Sequence, residues 1–217
     1  MNMRSRTTDA RKEYKKSALI ESDIVDDPIE QFAQWYDSAL AAGVPEPEAM
    51  TLSTATCDGR PSARIVLLRG FDHGGFRFFT NYASRKGKEL VDNPFASLTF
   101  YWPQLERQVR IEGDVQKLRD AESDTYFQSR PRNSRIGAII SPQSESIANR
   151  EVLEQRFAEY QKRYSENESI PRPSNWGGYR LKPSQIEFWQ GRPSRLHDRI
   201  QFRHLANGSW SIERLAP

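Results

Sequence analysis

The stretch Met50–Leu68, MTLSTATCDGRPSARIVLL, decides the fold. Two runs rich in β-formers, Met50 to Thr56 and Ala63 to Leu68, flank Cys57-Asp58-Gly59-Arg60. Asp-Gly between such runs is a strong hairpin signal, because both residues tolerate the left-handed backbone of a tight turn. The pattern continues downstream. Asp72 to Gly75 marks a turn before a strand at Phe76 to Thr80, and Phe95 to Trp102 and Glu106 to Val115 read as two further strands. Ser84 to Val91 reads as a short helix stopped by Asn93-Pro94. About five strands between Met50 and Val115 leave no room for the long helical crossovers of βαβ units, so the spacing predicts an antiparallel sheet or barrel.

Upstream, Asp27-Pro28 supplies an N-cap and a first-turn proline, and Ile29, Phe32, Ala33, Tyr36 and Leu40 share one helical face before Gly43 ends it. Residues 1–25 are polar, lack sustained periodicity and read as a mobile arm; residues 26–217 read as a single domain. Beyond Val115, helical patterns occupy Arg119 to Gln128 and Asn149 to Tyr164. Trp176 to Trp189 reads as strand again, and Ile200 to Leu205 and Trp210 to Arg214 flank a second hairpin signal, Asn207-Gly208. The expected class is α+β, mainly β, with antiparallel strands and flanking helices.

Composition narrows the function. The chain has 217 residues, 36% hydrophobic and 28% charged, and nothing approaches the roughly 20 apolar residues of a membrane-spanning helix. The polar start lacks the apolar core of a secretory signal, so a cytoplasmic location is expected. A single cysteine, Cys57, excludes an internal disulfide and a cysteine-built zinc site, and three scattered histidines disfavour a histidine-built metal site. The 32 basic residues divide into 24 Arg and 8 Lys. Arginine's planar fork suits phosphate or carboxylate, although GC-rich codon usage produces the same excess.

No Gly-x-Gly-x-x-Gly and no P-loop is present, so a bound phosphate would be held by side chains. Four segments offer them. Arg64-Ile65-Val66-Leu67-Leu68-Arg69 puts its two arginines on opposite strand faces; periodicity alone favours a buried strand with arginines at its solvated ends, and if both bind phosphate they bind different ones. Thr80-Asn81-Tyr82-Ala83-Ser84-Arg85-Lys86 places two cations in a first helical turn, against the macrodipole, a conflict that an anion would resolve. Tyr126 and Arg130 stand one helical turn apart before a proline-broken turn, with Ser134 within reach. Arg195, His197 and Arg199 alternate as on one strand face, near Trp189 and Gly191.

These segments in this order, RIVLLR, FFTNYASRKG, ERQVRIEG, YFQSRPRNSRIGA, SPQS, FWQG and RLHDR, resemble the pyridoxine (pyridoxamine) 5′-phosphate oxidases from about Arg11 to the C-terminus. The resemblance implies an FMN-binding split β-barrel and a homodimer with sites at the subunit interface. It implies that Arg64, Ile65, Phe79, Thr80, Arg85, Lys86, Gln108, Gln143, Ser144, Trp189 and Arg199 bind FMN. Arg69, Tyr126, Arg130 and Ser134 would hold the substrate phosphate, with Arg195 and His197 against the reacting ring and Arg11 to Tyr14 as a lid. The implied reaction oxidises pyridoxine or pyridoxamine 5′-phosphate to pyridoxal 5′-phosphate with O2 and releases H2O2. Two departures keep the charge: Arg69 stands where Lys is more familiar, and Lys12 where Arg is common. A related oxidase of another ring system, of the phenazine-precursor type, is the alternative. A nucleic-acid-binding barrel is disfavoured by the net charge of only +3.

Overall fold

In the computed structural model, residues 13–164 and 168–217 are described. Among them, the chain forms nine strands and five α-helices. Helix α1, Pro28–Ala41, starts where Asp27 caps it: the carboxylate accepts from the backbone N–H groups of Ile29 and Glu30. The hairpin of β1 (Ala49–Ala55) and β2 (Pro61–Leu67) forms as expected, in antiparallel register from Ala49 opposite Leu67 to Ala55 opposite Pro61. After β3 (Phe71–Asp72) and β4 (Gly75–Asn81) comes α2, Arg85–Asp92, capped by Ser84. Then β5 (Phe95–Trp102) pairs with β6 (Arg107–Lys117).

All strands join one antiparallel sheet in the order β2-β1-β5-β6-β7-β4-β3, where β7 is the long strand Trp176–Gln190. The last two strands, β8 (Asp198–His204) and β9 (Trp210–Arg214), extend from the far end of β7. Residues 68–70 return β2 to β4, since Arg69 and Gly70 exchange backbone hydrogen bonds with Arg77. Both edges of the sheet path therefore meet, which gives the barrel, while β7 runs on to support β8 and β9 outside it. The expected mainly-β architecture with flanking helices is present.

The barrel is filled by α1 and by aromatic residues from β3 to β5. Phe32 is fully buried and meets Phe71, Phe76 and Phe100 at centroid distances of 4.9 to 5.1 Å. Trp102 donates its indole N–H to the carbonyl of Pro47, so its burial leaves no polar atom unsatisfied.

Two local expectations are corrected. The segment after Pro131, read as a turn, is helix α4 (Arg132–Ile140), with the proline at the N-cap. Helix α3 (Asp120–Ser129) precedes it, and α5 (Glu151–Arg163) follows. The strand expected through Arg195, His197 and Arg199 does not extend that far back. Pro193–Arg195 form a 3-10 turn with Ser194 and Arg195 at φ of 57° and 62°, and β8 begins only at Asp198. Proline lacks a ladder donor and the left-handed pair reverses the chain, so the alternation has no strand to act on.

Truncating the aromatic that meets rings from three strands of the barrel, Phe32→Ala, is expected to cost about 3–5 kcal/mol, and removing the helix cap with Asp27→Ala about 1 kcal/mol. Denaturant unfolding measures both; equal costs would contradict the central place given to Phe32.

Candidate active site

A cleft of about 930 Å³ opens between β2, the end of β4, the start of α2 and the α3–α4 connection. It is lined by Arg64, Ile65, Arg69, Phe79, Thr80, Arg85 and Lys86, and from the other side by Tyr126, Arg130, Ser134, Gln143 and Ser144. Arg64 lies within β2 and Arg69 beyond its end, which is how two arginines of opposite strand parity come to line the same cleft.

At one end, Lys86 is 7% exposed and donates to Thr80 Oγ1 and Gln143 Oε1, both at 3.1 Å. Burial, with the charge of Arg64 adding to it, pulls its ammonium down to about 8, against the opposing pull of Glu89. Glu89 was not anticipated from sequence. It is 5% exposed and accepts from Thr54 Oγ1, Ser62 Oγ and Arg64 through Oε2, and from Arg85 Nε through Oε1 at 2.8 Å. Burial alone would raise its pKa, but hydrogen bonds from Ser62, Thr54 and Arg85 hold it near 2. The spacing Arg85 to Glu89, one helical turn, was the available signal. Arg64 and Arg85 are thus tied to a common carboxylate, and the first turn of α2 contains no acidic residue.

At the other end, the guanidinium carbon of Arg130 lies 4.6 Å from the Trp176 ring centre, and one of its terminal nitrogens is buried without a hydrogen-bond partner. Burial and the nearby charge of Arg69 lower its pKa, while Tyr126 opposes them. Tyr126 stacks on Phe79 at 3.8 Å. A buried, unpaired guanidinium donor beside a tyrosine and Ser134 fits an anion, since leaving such a donor unmet is costly. Trp176, also missed from sequence, forms the apolar wall here.

The remaining expected residues lie in a second cluster and do not line this cleft. Gln108, Trp189 and Arg199 are cross-strand neighbours on β6, β7 and β8, in one row. Arg199 bonds Glu187 through Nε and a terminal nitrogen. Trp189 and His197 have ring centres 4.7 Å apart, and Tyr14 meets them edge-on at 5.7 and 5.9 Å. The backbone N–H of Arg192 donates to His197 Nδ1 at 3.0 Å, which leaves Nε2 as the donor of the neutral ring. Arg195 is exposed on the preceding turn. Arg11 lies outside the described residues. No cluster of potential metal ligands occurs among the described residues, and Cys57 is exposed and unpaired.

An anion entering the cleft should push Lys86 back toward its ordinary 10.5 and so take up a proton near pH 8. The sign follows from the depressed value: stability of the free protein rises as pH climbs from about 8 to 10.5, while anion affinity falls over the same climb. Calorimetric titration with a phosphate monoester, in buffers of different ionisation enthalpy at pH 8, should register that uptake. Lys86→Met should abolish it and weaken binding roughly tenfold; uptake unchanged in the variant would contradict the assignment.

Residues 36–190 match the family described as pyridoxamine 5′-phosphate oxidase, and residues 176–217 match the pyridoxine 5′-phosphate oxidase C-terminal dimerisation region. The pyridoxine/pyridoxamine 5′-phosphate oxidase of Cupriavidus metallidurans is 59% identical over 96% of this chain and 98% of its own length. That of Trichormus variabilis is 60% identical over 96% of this chain and 97% of its own length. Among solved structures, PhzG from Burkholderia lata 383, in complex with tetrahydrophenazine-1-carboxylic acid, superposes with a TM-score of 0.86 at 34% identity, over 92% of this chain and 98% of that one. A pyridoxamine 5′-phosphate oxidase-related, FMN binding protein from Nostoc punctiforme shares the fold, with a TM-score of 0.71 at 20% identity over 89% of this chain. From the match over residues 36–190 and the near-full-length likeness to these oxidases, the chain belongs to the pyridoxamine 5′-phosphate oxidase family.

Proposed function

We infer that the protein is an FMN-dependent oxidase converting pyridoxine 5′-phosphate or pyridoxamine 5′-phosphate to pyridoxal 5′-phosphate, with O2 as acceptor and H2O2 as product. The observation that carries this reading is the cleft with a cationic group at each end, Arg64, Arg85 and Lys86 at one and Arg69 and Arg130 at the other. Two separate anion holders suit two phosphorylated ligands. The residues fit FMN: a depressed, buried lysine and two arginines sharing one carboxylate accept a phosphate, and Ile65, Phe79 and Thr80 line the cleft beside them. When bound, FMN supplies the two-electron acceptor that takes hydride from C4′ of the vitamer and passes the electrons to O2.

The chain's own residues hold and orient. Arg130, with Tyr126, Ser134 and Arg69, binds the vitamer phosphate; the unpaired guanidinium donor gains a partner when it does so. Fixing both ligands at their phosphates limits the relative motion of the reacting atoms, an effect worth several kcal/mol of barrier. His197, with Nε2 free to donate, and Arg195 orient the ring and its substituent and manage the proton of the alcohol or amine.

We further infer that a second copy completes each site. The row Gln108, Trp189, Arg199 and the group Tyr14, His197, Arg195 stand apart from the cleft within one chain. Ile65, Tyr101 and Leu196 expose apolar surface at 65%, 52% and 70%, beside the cleft or this second cluster. The match of residues 176–217 to a dimerisation region supports the same arrangement. The phenazine-precursor alternative is disfavoured by Tyr126, Arg130 and Ser134, which a substrate without phosphate would leave unused.

Purified protein should be yellow and should consume oxygen with pyridoxine 5′-phosphate; a colourless preparation that FMN does not reconstitute would overturn the reading. Arg130→Ala should lower kcat/KM for phosphorylated vitamers by roughly 10–100-fold without changing flavin absorbance. If two copies build each site, Arg130→Ala and His197→Ala subunits, each nearly inactive alone, should recover about a quarter of wild-type activity after random re-pairing. No recovery would place both residues in a site built by one chain.

A further inference from the structure

The described part of the N-terminal segment is fastened to the barrel at one buried carboxylate. Glu106 lies in the turn between β5 and β6, 2% exposed, at φ of 56°. Its Oε2 accepts the consecutive backbone N–H groups of Lys15 and Lys16 at 2.9 and 3.1 Å. Its carbonyl accepts from the backbone of Gly191 at 2.7 Å and from the side chain of Gln190 at 3.2 Å. The same residue therefore grips the segment with its side chain and the end of β7 with its backbone. Between these two grips sits Tyr14. A Cβ placed on Gly191 would come within 2.7 Å of the Tyr14 ring, so the glycine is the close approach that lets the ring lie there, edge-on to Trp189 and His197.

A glutamate in left-handed backbone is strained, and glycine would suit that turn better. The turn alone thus gives no reason for Glu106, whereas the side chain has a use: one carboxylate oxygen facing two successive N–H groups is a charge-assisted clamp. We propose that Glu106 is a positioning residue that holds residues 15–16 against the β5–β6 turn and thereby sets Tyr14 against the Trp189–His197 pair. It acts through Tyr14: its own side-chain and carbonyl contacts are to Lys15, Lys16, Gln190 and Gly191. The catalytic consequence rests on the assignment of Tyr14 and His197 to the vitamer; the clamp itself does not.

The test uses the full-length flavin-loaded protein and two variants. Glu106→Gly relaxes the turn and removes the carboxylate; Glu106→Gln retains an oxygen that can accept from the segment. Limited trypsinolysis at Lys15 and Lys16 reports the clamp, and oxygen uptake with pyridoxine 5′-phosphate reports its consequence. In Glu106→Gly, cleavage at these two lysines should accelerate roughly tenfold or more at unchanged or raised Tm, with KM up about tenfold and flavin absorbance unaltered. Glu106→Gln should restore most of the protection. Cleavage at the wild-type rate in Glu106→Gly would overturn the proposal. Faster cleavage there, in a protein that turns over no phosphorylated vitamer in wild-type form, would uphold the clamp and reject the functional reading instead.

Discussion

One buried carboxylate organises the cationic end of the cleft. Arg64, Arg85 and Lys86 converge on a small volume, and three like charges in a partly dehydrated site repel one another strongly. Glu89 answers this by accepting from Arg64, Arg85, Thr54 and Ser62 at once, so that β1, β2 and α2 are tied through a single side chain. The compensation is partial. Lys86 stays depressed to about 8, and the first turn of α2 contains no acidic residue of its own. In the proposed reading, the flavin phosphate supplies the anion this end of the cleft is short of.

The long strand β7 sets the second constraint. Its first residue, Trp176, walls the Arg130 end of the cleft, while Trp189 near its far end sits between Gln108 and Arg199. Thirteen residue steps of extended chain from Trp176 to Trp189 cover about 43 Å. One strand therefore supplies residues to two clusters that it also keeps apart, and in the proposed reading a second copy brings the two together. The match of residues 176–217 to a dimerisation region and the physical separation seen within one chain support that reading.

Much of the fold was legible because it rests on local chemistry. Asp58-Gly59 fixed the β1–β2 hairpin and Asp27-Pro28 fixed the start of α1. Helix α4 was not legible: Pro131 reads as a breaker, and only the structure places it at the N-cap, where its fixed φ and missing donor do no harm. The alternation Arg195, His197, Arg199 misled in the opposite direction, since Pro193 and the left-handed Ser194–Arg195 pair stop any strand before Asp198. Of the expected site residues, those on the β2, β4, α2 and α3–α4 segments do line one cleft. Glu89 and Glu106 escaped notice because an acidic residue reads as solvated surface until its partners, distant in sequence, are known.

In the proposed reading the cleft separates two phosphates, and the reacting ring is approached from a second copy. A crystal structure of the protein bound to FMN and pyridoxal 5′-phosphate would show both. The expected result is the FMN phosphate on Arg64, Arg85 and Lys86, the vitamer phosphate on Arg69, Tyr126, Arg130 and Ser134, and His197 of the other protomer against the pyridine ring. A vitamer phosphate bound away from Arg130, or a ring contacted by His197 of the same chain, would contradict it.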